Sequence, residues 1–331
     1  MTREEIANIF EGMNSTRVLL IGDAMIDAYM WGSVERMSPE APVPVVLINK
    51  REKRLGGAGN VAINLHGLGA ETFLCSLVGD DDNGTTMRNL MEDEGLTTEG
   101  LFTVSGRHTT VKTRIISRGK HVLRVDEEDT RDLSDYSGFI EHLQDLMDRY
   151  PFDVVIFQDY NKGTIHPQVI QKITDLSLER GIPVAVDPKK KNFLSYKKVT
   201  LFKPNLKEIS EGLQMDVDPT SDTSLRSATD ELMGHLDCQQ VMVTLSEHGV
   251  YIRDRQIEHH LPAHKRTIVD VSGAGDTVIS VASLALAQGV EPRKLAFLAN
   301  LAGGLVCEEV GVVPIDRGRL QSEAEIHGDS I

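Results

Sequence analysis

The feature that most restricts the fold of this chain is an alternation of short, continuously apolar runs with segments of helical periodicity. The apolar runs lie at Val18–Ile21, Phe73–Val78, Val154–Phe157, Val184–Val186 and Val241–Leu245. The helical patterns lie at Asn60–Leu68, Asn83–Glu94, Gln168–Glu179 and Leu225–Leu236. Strands that are apolar on both faces are typical of parallel sheets covered by helices on both sides. The sequence therefore predicts a three-layer α/β/α sandwich around a mostly parallel sheet.

Two segments depart from this alternation. Trp31–Lys50 contains three prolines and then an apolar run, and Thr109–Val125 contains two candidate strands around a Gly turn. Neither segment has a helical partner, so both are expected to form a small β-sheet lid, with lid segments at about 30–50 and 108–126. Extra strands at the edge of the main sheet are the alternative that the pattern leaves open.

Composition excludes several classes of partner. The 331 residues carry a net charge of −15, which gives no basic surface for nucleic acid and disfavours anionic lipid. The three cysteines are far apart, as in proteins of a reducing compartment, and no apolar run reaches the ~18 residues of a membrane span. We expect a cytoplasmic protein with one domain over residues 1–331, without nucleic-acid or membrane partners. The polar tail Ser322–Ile331 is expected to be disordered.

A glycine-rich turn before a helical run is the strongest candidate for chemistry. It reads Asp270-Val271-Ser272-Gly273-Ala274-Gly275-Asp276-Thr277. The N–H groups of Gly273, Ala274 and Gly275 would point outward at a helix N-terminus, which favours an anion such as a transferred phosphoryl group. Asp276 beside them is placed to accept a proton from an attacking hydroxyl. An aspartate in the first turn is also a common capping residue, and the residues alone leave both roles open.

This turn resembles the second signature of the PfkB family of carbohydrate kinases, which includes ribokinase and adenosine kinase. Three further stretches resemble family landmarks and follow in the family's order: Gly56-Gly57-Ala58-Gly59-Asn60, Asn205-Leu206-Lys207-Glu208 and Val243–Gly249. The resemblance spans Val18 to Pro314. It implies a ribokinase-like fold, ATP as phosphate donor and Mg²⁺, and it leaves a monovalent cation open.

The resemblance also implies roles for individual residues. Asp276 would be the base, and the amides of Gly273, Ala274 and Gly275 would hold the developing charge. Nucleotide binding is expected from Asn205, Lys207, Glu208, Thr244, Ser246, Gly249 and Asn300. Glu208 is expected to hold Mg²⁺ through a water molecule. The chain departs from the family pattern at Ser246, where a glycine often follows the strand.

Three stretches show a closer resemblance, to the bacterial D-glycero-D-manno-heptose 7-phosphate kinases. They are Gly22–Asp27, Arg36–Val45 and Phe157–Gly163. The resemblance implies transfer to the anomeric hydroxyl of the heptose phosphate, for ADP- or GDP-heptose and lipopolysaccharide core or surface glycan. The expected sugar contacts are Asp23, Asp27, Gly57, Asn60 and Asp159, with Lys112, Arg114 and Lys162 for the distal phosphate and Arg118 and Lys189 as further candidates. We expect no nucleotidyltransferase domain in this chain, and a homodimer formed through the lid.

Two alternatives remain at this point. One is a kinase of the same family for another sugar or sugar phosphate. The other is a non-catalytic protein that binds a nucleotide or a sugar. An intact Asp276 and an intact anion-binding turn favour a kinase over the second alternative.

Overall fold

The structure, a computed structural model, describes residues 1–328 of the chain. Its strands are β1 (Arg17–Gly22), β2 (Ala24–Met37), β3 (Pro44–Gly57), β4 (Glu71–Gly79), β5 (Leu101–Val104), β6 (Val111–Ser117), β7 (Lys120–Glu127), β8 (Val154–Gln158), β9 (Val184–Asp187), β10 (Leu201–Phe202), β11 (Gln240–Thr244), β12 (Val250–Asp254) and β13 (Glu258–Leu261). Its helices are α1 (Arg3–Met13), α2 (Ala58–Gly67), α3 (Asp82–Asp93), α4 (Ser137–Arg149), α5 (Pro167–Glu179), α6 (Leu206–Leu213), α7 (Asp222–Leu236), α8 (Ala274–Ala287), α9 (Pro292–Val306) and α10 (Arg317–His327).

The main sheet has the strand order β13-β12-β11-β10-β9-β8-β1-β4-β5. Its strands are parallel from β11 to β5, and β12 and β13 extend it antiparallel. Side chains of one strand enter two separate cores: Val18 and Leu20 pack with α2, α8 and α9, whereas Leu19 and Ile21 pack with α4, α5 and α7. The predicted sheet with helices on both faces is confirmed.

The lid is a separate sheet with the order β3-β2-β6-β7. It confirms the small lid and excludes simple edge strands of the main sheet, but its first segment is longer than predicted. β2 and β3 together cover residues 24–57 rather than 30–50. Only Asp23 separates β1 from β2, so one apolar stretch serves two sheets and hides their boundary. The charged residues 50–54 of β3 resemble a loop because one face of the lid meets solvent.

The fold brings several polar residues to one edge of the main sheet. Asp23 follows β1, Gln158 ends β8, Asp187 ends β9 and Lys203 follows β10. Carboxyl ends of parallel strands share an edge, which is where open α/β sheets bind ligands. The helices α2 and α8 pack against each other above this edge, and their N-termini carry the two glycine-rich turns.

The prediction of a disordered tail is wrong for residues 322–327, and residues 329–331 lie outside the described part. Asp316 caps α10 by accepting from the backbone N–H of Arg319 at 2.7 Å, and Leu320 and Ala324 are buried. Two apolar contacts and one cap thus order a polar helix. Within residues 1–328, no helix is both long and apolar enough to cross a membrane, and no cluster of His, Cys, Asp or Glu side chains is arranged to hold a metal.

Candidate active site

The glycine-rich turn forms the N-terminus of α8. Gly273 is the N-cap residue with φ 81°, in the left-handed region that glycine adopts without strain. A Cβ at Gly275 would meet only Asp187 Oδ2, at 4.0 Å, so the space above this amide is open. Asp270 braces the turn, since its carboxylate accepts from the backbone N–H of Ser272 at 2.9 Å and of Gly311 at 3.0 Å. The N–H of Ala274 donates to the carbonyl oxygen of Val271 at 3.3 Å, so the first-turn N–H groups that the turn leaves for an anion are chiefly those of Gly273 and Gly275.

Asp276 lies in the first turn of α8 and is held by three donors. The hydroxyl of Tyr160 donates to Oδ1 at 2.6 Å, and Nε2 of Gln158 donates to the same oxygen at 3.3 Å. The amide of Asn60 donates to Oδ2 at 3.3 Å. Only 7% of the residue is exposed. The carboxylate is therefore fixed by neighbours from two segments, the stretch 158–160 and α2, rather than used as a cap.

Burial raises the pKa of Asp276 from its ordinary value of 3.8 to about 6. The hydrogen bonds from Tyr160 and Asn60 and the charge of Lys203 act in the opposite direction, while Asp187 raises the pKa further. A carboxyl with a pKa of about 6 is ionised at neutral pH and is still a better proton acceptor than an ordinary aspartate. These are the properties of a general base for a hydroxyl group.

A buried polar chain supports this carboxylate from below. Gln158 Nε2 also donates to Asp187 Oδ2, at 3.4 Å, and Lys203 Nζ lies 3.1 Å from the same oxygen. Lys203 is 2% exposed and Asp187 is 5% exposed. Lys203 and Asp187 therefore neutralise each other's charge next to the base, in a position buried from solvent.

Asp23 organises the loop that follows β8. Its Oδ2 accepts from the backbone N–H of Tyr160 at 2.9 Å and of Lys162 at 3.0 Å, and its Oδ1 accepts from that of Thr164 at 2.9 Å. Asp159, fully buried, shapes the same loop by accepting from the N–H of Asn161 at 2.8 Å. Burial and then the charge of Asp23 raise the pKa of Asp159 to about 6. Both aspartates thus order the loop, and their sugar contacts stay predictions.

A cavity of about 350 Å³ lies between the lid and α2, and two predicted sugar ligands line it, Asp27 and Asn60. Asp27 Oδ1 pairs with Arg114 Nη1 at 2.5 Å. The glycine pair before α2 is required here. A Cβ at Gly56 would lie 2.6 Å from Asp27 Oδ2, and one at Gly57 would lie 2.4 Å from the carbonyl oxygen of Asp23. Asn60 belongs to both places, since it lines the cavity and donates to Asp276.

Two of the predicted phosphate cations converge on one carboxylate. Glu128 Oε2 lies 2.7 Å from Lys162 Nζ and 3.5 Å from Lys112 Nζ. Lys112 also contacts Asp126 at 3.3 Å. The structure therefore brings Lys112 and Lys162 together, with Glu128 between them. Arg118, by contrast, lies at the exposed tip of the hairpin between β6 and β7.

Asn205 and Glu208 form a reciprocal cap at the start of α6. Asn205 Oδ1 accepts from the N–H of Glu208 at 2.8 Å, and Glu208 Oε2 accepts from the N–H of Asn205 at 2.9 Å. Glu208 Oε1 is ion-paired with Lys189. Burial lowers the pKa of Lys189, but Asp187 and Glu208 more than offset this and raise it above its ordinary value. Lys207 lies apart, 82% exposed and 3.7 Å from Glu211, so its nucleotide contact stays a prediction.

The segment after β11 explains the departure at Ser246. Ser246 has φ 53°, a left-handed conformation in which glycine is common and serine is strained. Gly249 has φ 88°, and a Cβ there would lie 2.0 Å from the carbonyl oxygen of Leu261. Thr244 forms a bridge to Asn205, which joins this segment to the start of α6. Asn300 lies on α9 and donates to the carbonyl oxygen of Pro262 at 2.9 Å.

Four residues of this site were not assigned roles from the sequence: Tyr160, Gln158, Lys203 and Glu128. Tyr160 and Gln158 lie inside Phe157–Gly163, whose resemblance to heptose 7-phosphate kinases implies no role for either residue. Their hydrogen bonds to Asp276 join residues more than 100 positions apart, so no local pattern predicts them. The position of Gln158 at the end of a predicted strand was the one available signal.

The geometry combines a buried base, an open anion-binding helix start and a lidded cavity, which suits group transfer to a hydroxyl. The model of the pfkB family carbohydrate kinases matches residues 15–316. The chain therefore belongs to the pfkB family and is a carbohydrate kinase with the ribokinase-like fold.

Two relatives show which members of the family this chain is similar to. Bifunctional protein HldE of Citrifermentans bemidjiense is 39% identical over 316 residues, which cover 94% of this chain and 64% of that protein. Bifunctional protein HldE of Geotalea uraniireducens is 36% identical over 335 residues, which cover 100% of this chain and 67% of that protein. The chain thus spans about two thirds of the length of these relatives.

Solved structures agree on the fold. Escherichia coli phosphofructokinase-2 in complex with potassium superposes with a TM-score of 0.74 at 16% identity, covering 93% of this chain and 97% of that one. The same enzyme in complex with fructose-6-phosphate gives 0.72 at 18% identity, covering 93% and 98%.

Proposed function

We propose that this chain transfers the γ-phosphoryl group of ATP to the anomeric hydroxyl of D-glycero-D-manno-heptose 7-phosphate. The product would be heptose 1,7-bisphosphate, a precursor for ADP- or GDP-heptose. Support comes from the resemblance of Gly22–Asp27, Arg36–Val45 and Phe157–Gly163 to heptose 7-phosphate kinases, and from the identity with the HldE proteins.

The observation that carries the proposal is the position of Asn60. Its side chain lines the lid cavity and also donates to Asp276 Oδ2 at 3.3 Å. Asn60 therefore links the cavity to the base, and a sugar that reaches past Asn60 from the cavity would bring a hydroxyl to Asp276. A cavity of about 350 Å³ suits a small ligand of this size.

The reaction needs three tasks from the protein. Asp276 takes the proton of the anomeric hydroxyl, whose oxygen attacks the γ-phosphorus while the bond to ADP breaks. The amides at the start of α8 stabilise the charge on the transferred group. The lid covers the sugar and excludes water, which limits the hydrolysis of ATP.

ATP and Mg²⁺ are expected for a kinase of this family. Both oxygens of Glu208 have partners, Lys189 and the backbone N–H of Asn205, so the residues present fit Mg²⁺ only when it is held through one of the waters that it keeps. Glu208 would hold it through a water molecule, and the ion would neutralise phosphate charge. Because the solved phosphofructokinase-2 contains potassium, we extend the proposal to a monovalent cation, tested by activity in potassium against a bulky ammonium salt.

The distal phosphate of the sugar would replace Glu128 between Lys112 and Lys162. Both lysines hold that carboxylate now, at 3.5 Å and 2.7 Å. A phosphate is a stronger acceptor than a carboxylate and would compete for the same two cations. This pairing favours a phosphorylated sugar over a free one.

The lid would also be the contact of a homodimer. Leu47, Leu123 and Val125 are 67%, 55% and 42% exposed on the lid strands, and open strand edges invite pairing. Light scattering of the wild type and of Leu123→Asp tests this. A dimer that the substitution dissociates supports the lid contact, and a dimer insensitive to it contradicts the contact.

An acceptor panel tests the function. ADP formation is measured with heptose 7-phosphate, fructose 6-phosphate, ribose and adenosine, with the wild type and with Asp276→Asn. We expect strong preference for the heptose phosphate and loss of turnover in the variant. Preference for fructose 6-phosphate would support a sugar-phosphate site but contradict the proposal that the substrate is the heptose. ATP binding without turnover on any acceptor would favour the non-catalytic alternative.

A further inference from the structure

Tyr160 contacts the base directly and lies in Phe157–Gly163, outside both glycine-rich turns and the Asn205–Glu208 stretch. Its hydroxyl donates to Asp276 Oδ1 at 2.6 Å, the shortest of the three hydrogen bonds to that carboxylate. Burial and the nearby Asp276 raise the pKa of Tyr160 well above its ordinary value, so the hydroxyl keeps its proton and donates. The Asp276 carboxylate is therefore held by a neutral hydrogen-bond donor, the Tyr160 hydroxyl.

The two oxygens of Asp276 are unequal. Oδ1 accepts from Tyr160 and from Gln158. Among the described residues, Oδ2 accepts only from Asn60, at 3.3 Å, and Asn60 lines the lid cavity. Oδ2 thus has free acceptor capacity on the side where a sugar would lie.

We propose that Tyr160 is a positioning residue for phosphoryl transfer: its hydroxyl holds Oδ1 of Asp276, so that Oδ2 takes the proton of the sugar hydroxyl. The proposal rests on the proposed function, because it assigns a task within that reaction. Oδ1 of Asp276 is thus bound by the protein, and Oδ2 is left to accept the proton of the substrate.

The loop that carries Tyr160 is itself fixed. Asp23 accepts from the backbone N–H groups of Tyr160, Lys162 and Thr164, and the hydroxyl of Tyr136 donates to the carbonyl oxygen of Gly163 at 2.6 Å. Lys189 Nζ lies 5.8 Å from the centre of the Tyr160 ring, which gives the ring a second contact. Asp23 therefore acts on the base through Tyr160, without touching it.

The neighbours of Asp276 set its pKa and therefore the expected pH dependence of the reaction. Tyr160, Asn60 and Lys203 lower the pKa of Asp276, while burial and Asp187 raise it. Asp276 also raises the pKa of Lys189, so the two groups interact. Removing the Tyr160 hydroxyl deletes one lowering contribution and leaves the rest, so the pKa of Asp276 must rise.

The test compares Tyr160→Phe with Tyr136→Phe in the intact protein. Tyr160→Phe keeps the ring and removes only the hydroxyl, whereas Tyr136→Phe removes a hydrogen bond to the same loop without touching Asp276. We expect kcat at pH 6 to fall by roughly tenfold in Tyr160→Phe, with KM nearly unchanged, because a hydrogen bond to an ionised group is lost. The acid limb of the pH–rate profile should move to higher pH, and that of Tyr136→Phe should move much less, because Tyr160 keeps its hydrogen bond to Asp276 in that variant. An unmoved acid limb in Tyr160→Phe, or an equal shift in both variants, would overturn the proposal.

A second readout does not depend on activity. Carboxyl carbons of aspartate are labelled with ¹³C, the Asp276 resonance is identified by its loss in Asp276→Asn, and its titration is followed by NMR. The pKa of this resonance should be higher in Tyr160→Phe than in the wild type, and Asp23→Asn should shift it in the same direction. An unchanged titration in Tyr160→Phe overturns the positioning role. A wild type that phosphorylates no sugar overturns the proposed function instead, and the two failures are thus distinguishable.

Discussion

The base centre around Asp276 and the cation cluster of the lid are built in different ways. In the base centre, Asp276, Gln158, Asp187 and Lys203 are each at most 7% exposed and are joined by direct contacts. In the cation cluster, the side chains of Lys112 in the lid and Lys162 in the loop after β8 are 12% and 20% exposed and are held by Asp126 and Glu128.

The difference separates two tasks. Buried groups that satisfy one another cannot rearrange cheaply, so the base centre is fixed before the substrate arrives. The ion pairs of the cation cluster are partly open to solvent, where a single ion pair contributes little to stability, so Lys112 and Lys162 can exchange Glu128 for a phosphate. The fixed region would supply the chemistry, and the adjustable region would supply the selection of the sugar.

The largest expected effect lies in the fixed region. Asp276→Asn should lower kcat by roughly a hundredfold to ten-thousandfold, because general base catalysis is lost. ATP binding should persist, as measured by isothermal titration calorimetry. Asp316→Asn is the matched control, since it replaces a helix-start carboxylate that caps α10 and takes no part in the hydrogen bonds of the base centre, and it should leave kcat unchanged. Near-normal turnover of Asp276→Asn would remove the base from the account.

The next effect lies in the adjustable region. Lys162→Ala should raise KM for the phosphorylated sugar by roughly tenfold to a hundredfold, because a charge-assisted contact to phosphate is lost, while kcat changes much less. Steady-state kinetics with the sugar phosphate and with the same sugar lacking the phosphate measure this. Lys120→Ala, an exposed lysine of β7, is the control. A fall in kcat with unchanged KM would place Lys162 with the base and contradict the separation of the two tasks.

The buried base should also cost stability. The pKa of Asp276 is about 6 in the fold and 3.8 for an ordinary aspartate, so the folded state binds its proton more tightly than the unfolded chain. This contribution to stability is lost as pH rises from about 4 to about 6. Asp276→Asn should therefore raise the free energy of unfolding by about 1–3 kcal/mol at pH 8.

Urea unfolding at pH 8 and at pH 5 measures this effect. The advantage of Asp276→Asn should be smaller at pH 5, where the folded wild type is largely protonated at this residue. The same gain at both pH values would show that the substitution acts through packing and not through the charge.

The smallest effect concerns the strained turn after β11. Ser246→Gly removes a left-handed serine at φ 53° but adds freedom to the unfolded chain, so the two effects nearly cancel. We expect the free energy of unfolding to change by less than about 1 kcal/mol. Gly249→Ala, with φ 88° and no room for a Cβ, should be clearly destabilising in the same assay. Equal effects of the two substitutions would contradict the described geometry.

The sheet and its layers were predictable because a strand buried on both faces is a continuous run of apolar residues, which is visible in the local sequence. The run Val18–Ile21 is apolar on both faces, and its side chains do enter two cores. The lid boundaries were less predictable, since β1 and β2 are separated by one residue and share one apolar stretch. Leu320 and Ala324 are too few to mark α10 in a polar tail.

The site was predictable only where its residues lie in a short motif. Gly273–Asp276 and Asn205–Glu208 carry local signals, because a helix start needs its own caps and glycines. Tyr160 reaches Asp276 only because Asp23 folds the loop, a contact across 137 positions from Asp23 to Tyr160. Glu128 meets Lys162 through the same loop. Such contacts depend on tertiary structure and have no sequence period.

The most direct test of the account compares heptose 7-phosphate with the same heptose lacking the phosphate, in one assay of kcat/KM, with the product examined by ³¹P NMR. We expect the phosphorylated sugar to be preferred by roughly a hundredfold or more, as two charge-assisted contacts would give. We also expect a new phosphate on the anomeric carbon. Equal use of the two sugars, or a phosphate on another carbon, would contradict the division between a fixed base and a phosphate-selecting lid.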